Sequence, residues 1–136
     1  MMTRSGPAWM PPPGTISAHP AGEDWDAIVV PQTRGLDALQ VLDHRTDRYP
    51  GPVIWEVSAP QARLYFLVPA GTSAEWTVEG TRACGRGTFI GVPGPTVIDP
   101  PGPHWLCPPD PDDPEGLVDA DALRDALLLL APGTAA

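Results

Sequence analysis

The sequence predicts an α+β domain, a mixed and mostly antiparallel sheet with helices packed on it. Three observations carry this. Apolar runs of strand length recur between Pro and Gly punctuation, at residues 26–30, 53–57, 64–68 and 88–92. Two other stretches space their apolar residues at helical intervals: Leu36, Leu39, Val41 and Leu42, then Leu123, Ala126, Leu127 and Leu130. The order is strand, helix, several strands, helix, which is not the alternation of parallel βαβ units.

Residues 1–22 are rich in Pro and Gly and read as a flexible leader, ordered at most around Trp9 and Ile16. Residues 23–131 form one α+β domain, and 132–136 a tail. Within the domain, DAIVV (26–30) is a buried strand ended by Pro31. A helix opens at Thr33 or Arg34 and runs to about Asp43. VIWEV (53–57) and LYFLV (64–68) are strands that form a hairpin around Pro60. Residues 76–78 suit a short edge strand. TFIGV (88–92) is a further strand, and a Pro-rich loop leads to a short one at 104–106. The last helix spans residues 119–130. Asp119 or Asp121 caps it, because a carboxylate satisfies free N–H groups at the positive end of the helix dipole. Pro132-Gly133 ends it. Leu128 and Leu129 fall outside its packing face and are candidate partner contacts.

Gly (14) and Pro (20) make up a quarter of the 136 residues, at the edge of a disordered composition. The prolines cluster between apolar runs, so an ordered domain with long rigid loops is expected. All eight basic residues are Arg, and Lys and Asn are absent, a codon bias that points to a GC-rich genome. The net charge of −9 repels phosphate backbones and disfavours nucleic acid as a partner. The start has no apolar signal-peptide core, and no run approaches a membrane span. A cytoplasmic protein with reduced thiols is expected, with no membrane association. His104 and Cys107 have an H-x-x-C spacing, and Cys84, His19 and His44 could complete a zinc site. Only one ligand pair is present where zinc sites show two, so buried thiols are expected instead.

Gly85-Arg86-Gly87 leads into a strand and lacks G-K-[ST], so it reads as a hairpin turn, not a phosphate loop. Arg63, Arg82 and Arg86 are candidates for a nucleotide- or anion-binding patch, since Arg forks match phosphate. Their competing role is pairing with Glu56, Glu75 or Glu79, which the acid excess favours. No G-x-S-x-G or local cysteine-enzyme signature is present. Five Trp could stack on bases, but without interleaved basic residues they read as packing, with Trp55 and Trp105 in the core.

The series DAIVVP, a helix, LYFLVP, GRGTFIGVP and HWLCPP resembles the N-terminal domain family of bifunctional DNA primase/polymerases (prim-pol). More narrowly, it resembles the short stand-alone forms of high-GC actinobacteria. The resemblance covers roughly residues 25–130. It implies a shortened prim-pol-like sheet. In active members a D-x-D pair at a strand end holds divalent metal, and a His ahead of the LYF-like strand contacts the triphosphate. Here the His position holds Arg63. The D-x-D pair, Asp24 and Asp26, stands before its strand, and the other acidic run, 110–113, lies in a Pro-rich loop.

These departures predict a non-catalytic, prim-pol-like binding or regulatory module with no cofactor and no catalytic residues. The alternative is a nucleotide-binding nucleotidyltransferase with a rearranged metal site, using Asp24 and Asp26 for Mg or Mn and Arg63 for the nucleotide. A third reading is a protein–protein adaptor, binding a partner or itself through Leu128 and Leu129.

Overall fold

The computed structural model describes residues 7–45, 50–57, 61–110, 112–113 and 115–130, with backbone alone at 44 and 45. The expected stop at Pro132-Gly133 and the His44 side chain lie outside the described residues. In chain order the elements are β1 (Ile16–Pro20), β2 (Asp26–Pro31), α1 (Gln32–Arg45), β3 (Val53–Glu56), β4 (Arg63–Val68), a 3-10 turn (Thr72–Glu75), β5 (Arg82–Cys84), β6 (Phe89–Pro93), β7 (Pro103–Cys107) and α2 (Ala120–Leu129).

Five strands form one sheet in the order β5-β2-β4-β3-β7, and every neighbouring pair is antiparallel. The expected α+β class holds, with an antiparallel rather than mixed sheet. β3 and β4 are adjacent, as the hairpin reading expects. Side chains alternate across the sheet. Ile28, Val30, Val53, Leu64, Phe66 and Val68 face one way and bury themselves against α1 and α2 through Ala38, Leu42, Leu123, Ala126 and Leu127. Ala27, Ile54, Leu67, Cys84 and Trp105 face the other way. There β1 and β6, paired as a separate two-stranded ribbon, fold back and cover them with Ile90 and Val92.

The ribbon corrects two expectations. The leader is shorter than residues 1–22, because Ile16–Pro20 is β1. The Gly85–Gly87 turn does not join a hairpin: β5 pairs with β2, whereas β6 pairs with β1. Both segments bend together at Gly22 and Gly87, which adopt left-handed backbone with φ of 94°. At Gly22 a Cβ would also lie 2.8 Å from the Arg86 amide nitrogen, so only glycine fits the corner. Trp9 seals this layer edge-on against Trp25, with ring centroids 5.7 Å apart.

No strand forms at 76–78. The buried Asp26 carboxylate takes the amides of Gly71 and Ser73 at 3.0 and 2.8 Å. Those bonds wind the chain into the 3-10 turn instead. Trp76 then donates its indole N–H to Thr81 Oγ1 at 2.8 Å, which fixes the approach to β5.

Asp119 is the cap of α2, accepting from the amides of Asp121 and Ala122. At its other end, Arg34 of α1 donates from Nε to the Leu130 carbonyl (3.2 Å), from Nη2 to that of Leu127 (3.0 Å) and from Nη1 to that of Glu79 (2.6 Å). One guanidinium thus ties the end of α2, where the Leu127 carbonyl also takes the Leu130 amide, to the loop at Glu79. Its burial lowers the Arg34 pKa, and the nearby Glu79 charge works in the opposite direction.

Candidate functional site

The ribbon covers only one end of its sheet face. At the other end, strand alternation places Arg82, Val29 and Tyr65 in one row across β5, β2 and β4. Pro31, Arg63 and Glu56 form the next row across β2, β4 and β3. Beside these rows lies a recess of about 210 Å³ whose walls include Val29, Pro31, Gln61, Arg63, Thr81 and Arg82. Two of the three candidate arginines, Arg63 and Arg82, therefore meet at one opening.

Arg63 is half-buried and held in place. Its Nε donates to the Tyr65 hydroxyl at 2.7 Å and its Nη1 to the Gln61 carbonyl at 3.4 Å. The guanidinium carbon also sits 5.7 Å from the Tyr65 ring centroid, a cation–π arrangement. These contacts orient the fork and leave N–H capacity toward the opening. Arg82 is exposed and, among the described residues, its side chain makes no hydrogen bond or ion pair. The described ion pairs are His19–Asp24 and Arg124–Asp121, so Glu75 and Glu79 do not neutralise either arginine. Glu56 stands opposite Arg63 in register and is itself engaged.

Arg86 is elsewhere. It is exposed in the turn after β5, against Gly22, at the opposite end of that strand from Arg82. Asp24 and Asp26 engage different partners. Asp24 is 3.0 Å from His19 Nε2 on β1. Asp26, 1 % exposed, gives Oδ2 to the 71–73 amides, while its buried Oδ1 has no partner. Among the described residues, no three His, Cys, Asp or Glu side chains gather as a metal-ligand set. His104 is buried with Nδ1 2.9 Å from the Gly102 carbonyl, and Cys84 is buried.

Burial, aided by the Asp43 charge, pushes the Cys107 thiol up to about 11. Thiolate is the nucleophile, so alkylation of Cys107 by iodoacetamide at pH 8 runs roughly a hundredfold slower than that of free cysteine. Peptide mass spectrometry after timed labelling reads this directly, and a rate near that of free cysteine contradicts it.

Tyr65 and Gln61 are functional neighbours that motif reading does not single out. The signal for Tyr65 is present: residues i and i+2 on a strand share a face, so R-L-Y places its hydroxyl beside Arg63. No family model, curated protein or solved structure matches the chain.

Proposed function

We propose that this protein is a small, non-catalytic binding or regulatory module of prim-pol-like descent, acting in the cytoplasm through the Arg63–Arg82 recess. The observation that carries the reading is the pairing of an oriented and an unpaired arginine at one opening of a strongly acidic chain. Two arginines that no ion pair among the described residues engages, converging on a small recess, suit an anion. The order DAIVVP, helix, LYFLVP, GRGTFIGVP, HWLCPP supports the descent. The engagement of Asp26 by backbone amides supports a structural rather than a metal-holding role.

The test is a thermal-shift titration with inorganic phosphate and nucleoside triphosphates, with and without Mg or Mn. A ligand that binds only the folded state must raise Tm. The reading predicts a rise without metal that disappears in Arg63→Ala/Arg82→Ala. A rise that needs Mg or Mn, and is lost in Asp24→Ala/Asp26→Ala, would favour the nucleotidyltransferase reading. No rise with any anion removes the recess as a binding site.

A second reading rests on α2. Leu128 and Leu129 are 57 % and 66 % exposed at its end, side by side on the surface. As a protein–protein contact they would serve an adaptor or a self-association. Light scattering behind size exclusion checks it. This reading expects an oligomer that Leu128→Ser/Leu129→Ser converts to monomer, and a monomeric wild type removes self-association.

A further inference from the structure

We infer that the Arg63–Arg82 recess recognises the terminal phosphoryl group of a phosphate monoester, and not a whole nucleotide or a phosphodiester backbone. This rests on the reading of the recess as the binding site and names its ligand class.

Size is the first argument. Sites that enclose whole cofactor- or drug-sized ligands occupy roughly 300–1,000 Å³. This recess holds about 210 Å³, enough for a phosphoryl group but not for a nucleoside as well. Pro31 at the end of β2 and Gly80 and Thr81 ahead of β5 form part of its wall. Thr81 Oγ1 is occupied, accepting from Trp76 and donating to the Val78 carbonyl, so it offers no donor to a ribose or base. The remainder of a bound molecule therefore stays in solvent.

Charge and donor geometry are the second argument. A phosphate monoester carries about 1.5–2 negative charges on three terminal oxygens, which two guanidinium forks can share. A diester carries one charge and projects two ester arms, so it offers the two arginines less charge and fewer free terminal oxygens. A polynucleotide brings a row of such charges toward a chain of net charge −9, which repels it. The acids that remain close reinforce the preference for a compact ligand: Glu56 lies in register with Arg63, and Glu79 precedes Gly80 at the rim.

The roles divide between the two arginines. Arg63 is pre-aimed by Tyr65 and Gln61, so little side-chain freedom is lost when it binds. Arg82 is free to close from the edge strand β5.

Isothermal titration with inorganic phosphate, glycerol 3-phosphate, AMP and cyclic AMP tests this on the full chain. Phosphate and the two monoesters should bind within about threefold of one another, and cyclic AMP at least tenfold more weakly. Arg63→Ala and Arg82→Ala should each weaken phosphate binding at least tenfold. Arg86→Ala, which removes the same charge outside the recess, should change it less than twofold, with circular dichroism confirming that all three variants are folded. AMP binding more than tenfold tighter than phosphate overturns the monoester inference and leaves the binding module standing with a nucleoside contact. Cyclic AMP binding as well as AMP also overturns it. An Arg86→Ala loss equal to that of Arg82→Ala overturns the recess as the site. Absence of binding by all four ligands at millimolar concentration overturns both the inference and the reading beneath it.

Discussion

Arg34→Ala is expected to cost about 3 kcal/mol of stability and to lower Tm by roughly 10 °C. The substitution removes charge-assisted bonds to the Leu127, Leu130 and Glu79 carbonyls at once. It also removes the Arg34 donor from the Leu130 carbonyl where α2 meets α1, while the Leu127 carbonyl keeps the Leu130 amide. Exposure on part of the guanidinium limits the loss, because water replaces some of those bonds. Arg34→Lys keeps the favourable charge at the helix end but not the three-way fork. It should lose about half as much. Urea denaturation of the three proteins checks this, and an Arg34→Ala loss under 1 kcal/mol would show that α2 docks through its apolar face alone.

Asp26→Ala is the second large effect, also about 3 kcal/mol. Asp26 is buried at the start of β2, and its Oδ2 accepts both loop amides. Removing it leaves two N–H groups unsatisfied and frees the turn that carries the chain to β5. The opposing effect is relief of a buried carboxylate whose Oδ1 has no partner. Asp26→Asn separates the two: its carbonyl oxygen can take both amides while its nitrogen replaces the orphan oxygen, at a loss of about 1 kcal/mol or less. Hydrogen exchange at Gly71 and Ser73 should accelerate strongly in Asp26→Ala and little in Asp26→Asn. Equal losses in both variants would mean that the charge itself matters, which favours a cation near Asp26.

The strands that were legible in the sequence are those with enough apolar residues to show a period. DAIVV, VIWEV, LYFLV and TFIGV each become a strand because each supplies side chains to a buried face. β5 was not legible: R-A-C is three residues long, and only its pairing with β2 makes it a strand. β1 was hidden for a related reason. Ile16, Ser17 and Ala18 are exposed, so I-S-A-H-P has no buried stripe to announce it. The turn at 72–75 depends on Asp26, some 45 residues earlier, and no local rule shows that bond.

The recess was half legible. Arg82 sits near Gly-rich punctuation, and Arg63 stands where the prim-pol pattern expects a His, which brings both to notice. Their meeting follows from β5-β2-β4 order, a long-range fact. Arg86 shares the motif but not the place, because the corner at Gly22 turns it to the other end of β5. The same order explains the failure of a simple charge argument. The acids expected to neutralise these arginines lie in sequence near them, yet the turn at 72–75 and the exposed loop after it keep Glu75 and Glu79 out of any ion pair with them.

Amide chemical-shift mapping tests the central claim most directly. On titrating inorganic phosphate into the labelled protein, the account predicts amide shifts confined to residues 29–30, 61–65 and 80–82, with Arg63 and Arg82 side-chain N–H signals moving at the same midpoint. Shifts centred on Asp24 and Asp26, on Leu128 and Leu129, or spread evenly over the exposed arginines would contradict it.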